Sequence, residues 1–170
     1  MKTIVRSLPL LGILLLLAAA PAAGQDYDGL DWNQTHDTLA SAVGVHAGKI
    51  GGTGLAFRVP VKWYLYLQTA GGIWHVEDDK RHNLGVSLNY LLRQDQRVRL
   101  YVTGGLGYFY HKERLDGGWD TDKAWNSGGG IGLEYLQGRR WSWKVDLAFI
   151  HESDDGDVRL SPQVGIFYYW

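Results

Sequence analysis

Residues 141–151 read Trp141-Ser142-Trp143-Lys144-Val145-Asp146-Leu147-Ala148-Phe149-Ile150-His151, and their alternation decides the fold. Trp141, Trp143, Val145, Leu147 and Phe149 fall on one side of an extended chain. Ser142, Lys144 and Asp146 fall on the other. A hydrophobic period of two is the signature of a β-strand. About ten residues of it match the length of a strand that crosses a bilayer at a tilt.

Seven further segments carry the same period, near residues 38–48, 54–60, 61–74, 82–92, 98–111, 127–137 and 159–170. Leu55, Phe57 and Val59 oppose Arg58, and Leu133 and Tyr135 oppose Glu134. The connections alternate in length. A turn at Pro60 and the links 94–96 and 138–140 are short, whereas 49–53, 75–81, 112–126 and 152–158 are longer and more charged. Short turns on one side and long loops on the other characterise outer-membrane barrels. The sequence therefore predicts an all-β fold, an eight-stranded antiparallel up-and-down transmembrane barrel over residues 38–170.

A soluble eight-stranded barrel shares this period but turns its apolar face inward. Here the polar face mixes glycine, serine and asparagine with Arg58, Glu134, Lys144 and Asp146. Small residues and charges of balanced sign suit a narrow bore, where unpaired charges are expensive. The apolar face ends in Trp63, Trp74, Tyr90, Tyr108, Tyr110, Tyr135, Trp141 and Trp170. Aromatic residues at strand ends suit the interface girdles of a membrane barrel better than a core.

The composition agrees. Among 170 residues there are 23 glycines, 8 tryptophans and 10 tyrosines, with a net charge of −1 and no cysteine. The near-zero charge supplies no global basic field for nucleic acid. The lack of cysteine excludes a disulfide scaffold and a thiolate metal site. At the start, Lys2 and Arg6 precede the apolar run 8–20, and Ala22, Ala23 and Gly24 follow. Residues 1–24 read as a secretory signal peptide, and 25–37 as a periplasmic N-terminal tail. The expected location is the outer membrane of a Gram-negative-type envelope.

Arg58, Glu134, Lys144 and Asp146 are the candidate lumen ion-pair network. An eight-stranded bore is just wide enough to be filled by side chains, so a general diffusion porin is not expected. Five histidines, His46, His75, His82, His111 and His151, lie near strand ends on the predicted outer side. No close His-x-His pair occurs, and neither metal nor other cofactor is expected. The 112–126 loop carries Trp119 and Trp125 among Asp116, Asp120 and Asp122, a candidate contact surface.

Val164, Ile166, Tyr168 and Trp170 alternate up to the last residue. They resemble the C-terminal signal of outer-membrane barrels, with Pro162 departing from the pattern one step earlier. With the leader, most of the chain resembles the small OmpA/OmpX/OmpW-like barrels. That resemblance implies periplasmic chaperones and the barrel-assembly machinery as transient partners, outer-membrane lipid and lipopolysaccharide as surroundings, and a monomer.

His151 and Ser153, two apart, resemble the His-x-Ser of outer-membrane lipid A 3-O-deacylases. The resemblance implies His151 as base and Ser153 as nucleophile. The chain departs from that family in having Asp154 where asparagine is expected. It also lacks an orienting glutamate, for which Asp155 or Asp157 would have to substitute. The favoured reading is a non-enzymatic small outer-membrane barrel with a structural, envelope-stabilising or surface-interaction role. A lipid A deacylase and a narrow channel for small solutes are the alternatives.

Overall fold

A computed structural model describes residues 40–76, 79–115, 118–138, 140–154 and 156–170. The signal peptide 1–24 and the tail 25–37 lie outside the described residues. Eight strands follow one another in chain order: β1 (Ala42–Ala47), β2 (Gly54–Lys62), β3 (Leu65–Val76), β4 (Asp79–Gln94), β5 (Val98–Leu115), β6 (Gly118–Gln137), β7 (Trp141–Glu152) and β8 (Val158–Tyr169). Each pairs antiparallel with its neighbours, and β1 pairs with β8, so the sheet closes into a barrel with no free edge. Closure leaves no unpaired edge strand, the one way a sheet can sit in hydrocarbon.

The alternation sorts the side chains as the period demands. Ile131, Phe149 and Leu160 are 59%, 62% and 58% exposed on the outside, while Arg58 and Glu134 are 2% exposed inside. On β4 the outward row runs from Tyr90 through Leu88, Val86 and Leu84 to His82. The eight steps from His82 to Tyr90, at ~3.3 Å each, give about 26 Å along the strand, or roughly 20 Å along the axis at the usual tilt. That height suits the hydrocarbon of a thin bilayer. Aromatic rings mark both limits. Trp63, Tyr64 and Tyr90 pack together at one rim, and Trp141 packs against Tyr168 at the same rim. At the other rim Tyr108 packs on Trp125 and His82 stacks on Tyr110.

Three local expectations are corrected. Pro60 does not make the β2–β3 turn, which falls at Trp63–Tyr64. Pro60 lies in β2, and the pairing register shifts between Pro60 and Lys62, because proline offers no N–H to the ladder. Of the segments 75–81 and 112–126, the described residues 75–76, 79–81, 112–115 and 118–126 are strand and not loop. Residues Val76 and Asp79 pair, as do Leu115 and Gly118, so β3–β4 and β5–β6 form hairpins that project past the outer aromatic ring. Past the aromatic ring both hairpin faces carry polar and charged residues, so the hydrophobic alternation disappears while the backbone pairing continues. Trp74 lies on the bore-side parity of β3, with Tyr66, Gln68 and Ala70, and not on the outer face.

Candidate functional site: a bore sealed at two levels

The lower level of the bore lies toward the C-terminal end of β8. Arg58 on β2 reaches Glu134 on β6 at 2.8 Å, and donates to the Tyr169 hydroxyl at 2.7 Å and to Gln68 Oε1 at 3.0 Å. Glu134 Oε1 also accepts from Ser142 at 2.6 Å and from Tyr169 at 2.7 Å. The Arg58 guanidinium lies 4.2 Å from the centre of the Phe167 ring. One step up, Lys144 pairs with Asp146 at 3.0 Å and donates to Asn89 at 2.9 Å and Gln68 at 3.1 Å. Tyr101 donates to the other Asp146 oxygen at 2.5 Å. Gln68 thus accepts from both cations and links the two pairs. These are charge-assisted bonds between buried groups, each about twice as strong as a neutral one.

Sequence reasoning missed a fifth charge. Arg99, 1% exposed, donates to Tyr169 at 3.1 Å and stands 3.7 Å from Glu134 Oε2. It sits beside the β4–β5 turn, where an arginine ordinarily faces water. Its parity with Tyr101 and Thr103 was the available signal.

The upper level is built from backbone. The β1–β2 connection, residues 48–53, folds into the barrel mouth. Ile50 is buried against Ala148 and Ile150. His46 donates from Nδ1 to the Gly52 carbonyl at 2.8 Å, and the Thr53 N–H donates to Asn83 Oδ1 at 2.6 Å. Lys49 bonds Glu152 across the mouth. The inward residues below the loop are small for a steric reason. A Cβ on Gly85 would fall 2.1 Å from the Gly52 nitrogen, and one on Gly107 would fall 2.5 Å from the Lys49 carbonyl oxygen. Gly52 itself has φ +82°, a left-handed conformation that side-chain-bearing residues rarely adopt.

Above the loop, the projecting hairpins enclose an open cleft of about 650 Å³, with Thr53 on its floor and Trp74, Asn83, Phe109 and His111 among its walls. Asp79 pairs with Arg81 at 2.7 Å and with His111 at 3.1 Å at its rim. The Arg81 guanidinium, hydrogen-bonded to Asp79, holds that carboxyl below its usual range.

The remaining candidates are dispersed. His46 is buried under the loop, His82 is stacked on Tyr110, His111 is paired with Asp79, and His75 and His151 are exposed. Among the described residues no three potential metal ligands cluster. His151 ends the outward row of β7, but Ser153 has left the strand into a turn. The Ser153 hydroxyl accepts from the Trp125 N–H at 3.0 Å, and the Ser153 N–H donates to the Trp125 carbonyl at 3.0 Å. Among the described residues no hydrogen bond joins Ser153 to His151. Asp155 lies outside the described residues; Asp157 stands 3.5 Å from Arg159. Asp116, of the 112–126 segment, is also outside them. Val164, Ile166 and Tyr168 share the outward face of the last strand, and Trp170, 63% exposed, follows directly after it.

No protein-family model and no curated protein sequence matches the chain. Solved structures do. The N-terminal β-barrel domain of Pseudomonas aeruginosa OprF superposes with a TM-score of 0.62 at 12% identity, covering 78% of this chain and 98% of that one. Ail, the attachment invasion locus protein of Yersinia pestis, gives 0.49 at 15% identity, covering 77% and 94%. Neisserial surface protein A gives 0.47 at 11% identity, again covering 77% and 94%. The chain has the fold of the small eight-stranded outer-membrane barrels.

Proposed function

We propose that the protein resides in the outer membrane as a closed, non-conducting and non-enzymatic barrel with a structural, envelope-stabilising or surface-interacting role. The observation that carries this reading is a bore filled at two levels inside an apolar shell. A solute would have to break the Arg58–Glu134 pair and lift the 48–53 loop. In this reading the surroundings are lipid and lipopolysaccharide, and the protein is a monomer. Chaperones and the barrel-assembly machinery handle the chain in transit and engage Val164, Ile166, Tyr168 and Trp170.

Outer-membrane fractionation with heat-modifiable migration tests the placement. The folded protein is expected in the outer-membrane fraction, with a mobility that changes on boiling; a freely dissolved chain would overturn the reading. Planar bilayers holding the folded protein are expected to stay electrically silent, and steady unitary currents would favour the narrow channel instead. Mass analysis of lipid A from expressing cells is expected to show an intact 3-O-acyl chain. A loss of that chain which Ser153→Ala abolishes would establish the deacylase.

A further inference from the structure

On the projecting hairpins the described charges of the outward face are all cationic, whereas the bore-side face holds carboxylates with Arg81 among them. On the bore-side face, Asp79 pairs across strands with Glu113, and Glu113 with Asp120, a row of three carboxylates. One residue nearer the membrane, on the outward face, Lys80 stands opposite Lys112. Below them His82 stands opposite Tyr110, and Tyr110 opposite Lys123. Trp119 completes this outward surface, half exposed, with the Lys112 ammonium 4.9 Å and the Lys80 ammonium 5.4 Å from its ring centre. Lys123 lies 6.0 Å from the Tyr110 ring. Among the described residues, no carboxylate shares the outward face of β4, β5 and β6 above the ring of Tyr108, Tyr110 and Trp125. None pairs with Lys80, Lys112 or Lys123 either.

Two features need a ligand to make sense. Like charges directly opposite one another on a sheet destabilise it, yet Lys80 and Lys112 converge on a single indole although four carboxylates lie within a few residues on the other face. Their height is also particular. Lys112 stands two residues, about 7 Å, beyond Tyr110. That lies within the ~5–8 Å of head-group region bordering the hydrocarbon. An anion lying in that layer, beside the barrel, would meet all three ammonium groups.

We propose that Lys80, Lys112 and Lys123, with Trp119, bind the phosphate groups of a phosphorylated glycolipid head group in the surrounding leaflet. The inference rests on the membrane placement proposed above. The lysines neutralise the phosphates, and the indole packs on the sugar to which they are attached. Charge on the opposite face is of the wrong sign, so the lipid is held beside the barrel and excluded from the cleft.

The test uses the folded protein in phosphatidylcholine nanodiscs, with the Trp119 indole N–H followed by nuclear magnetic resonance. Diphosphoryl lipid A is expected to shift that signal saturably, and dephosphorylated lipid A to leave it in place. At ~5-fold per lysine near an anionic surface, the K80Q/K112Q/K123Q variant should need on the order of a hundredfold more diphosphoryl lipid A. The K80R/K112R/K123R variant should regain most of the affinity. An unshifted wild-type signal would overturn the proposal, as would equal affinity in the glutamine variant. The same shift from free inorganic phosphate in lipid A-free discs would assign the lysines to a solution anion and equally overturn it. Heat-modifiable mobility of the same sample keeps the two readings apart. A chain that never enters the discs breaks the membrane placement, and one that enters without responding to lipid A breaks only this inference.

Discussion

Between Arg58 and Asp146 the bore is occupied by side chains that carry charge; between His46 and Gly107 it is occupied by a folded-in piece of backbone lying on glycine. The lower level is held by directional bonds, each needing its partner. The upper level is held by shape, and a single added carbon atom is enough to disturb it. The contrast teaches that one narrow cylinder can be closed by two unrelated means, whose failures have different sizes and different consequences.

The largest effect is expected at Glu134. Its carboxylate accepts from Arg58, Ser142 and Tyr169 and faces Arg99. Glu134→Ala removes the carboxylate that the buried Arg58 guanidinium pairs with, a change that typically costs ~3–5 kcal/mol. Urea unfolding in lipid vesicles should show that loss. A cost under about 1 kcal/mol, the range of an exposed pair, would mean that the lower level is not held by its charges.

The upper level yields next. Gly85→Val drives methyl groups into the Gly51–Gly52 backbone, and overpacking of this kind costs ~1–3 kcal/mol. The loop should leave its seat, exposing the 48–53 segment to limited proteolysis. Because the charged level stays in place, Gly85→Val alone should remain silent in planar bilayers, and so should Glu134→Ala alone with the loop seated. The double variant should conduct. Conductance from Gly85→Val by itself would show that the lower level is no seal.

The two levels were not equally legible beforehand. Alternation put Arg58, Glu134, Lys144 and Asp146 on one face, and charges in a dry, narrow space have few options besides pairing. The neutral members of that network, Gln68, Asn89, Tyr101 and Tyr169, carry no such compulsion, and nothing local marks them as partners. The loop was harder still. Gly51 and Gly52 announce a turn, and Gly85 and Gly107 announce small bore residues. Only the closed barrel brings residues so far apart in the chain to within an atom's width of each other. The outer hairpins escaped notice for a different reason. Where both faces of a strand are wet, the pattern that reveals strands is erased, although Lys112 and Thr121 still pair.

A smaller effect is expected where the two means of closure meet the surface. Lys49, on the inserted loop, bonds Glu152 on β7, but the lysine side chain is 48% exposed. Water screens such a pair to at most ~1 kcal/mol. Lys49→Ala should therefore lower stability by less than either change above and leave the loop protected from protease. Release of the loop by Lys49→Ala would show that an ion pair, and not the glycine seat, holds the plug.

The smallest effect lies wholly outside the bore, at the rim of the cleft. Arg81 hydrogen-bonds Asp79 and lowers its pKa below the usual carboxylate value, with His111 adding to the same direction. A lowered folded-state pKa means that the contribution is present above the ordinary carboxylate range and is lost as pH falls through the folded value. The site is open to solvent, so the effect should be local. Amide exchange at the β3–β4 tip, after allowance for the intrinsic dependence on pH, should keep its protection down to the ordinary carboxylate range and lose it only as pH falls below that range. The lower strands and the bore should stay unchanged. In Asp79→Asn the tip should show no such step. A matching acid-induced loss around Arg58 and Glu134 would mean that the rim and the bore open together, and the two levels would then be one cooperative unit.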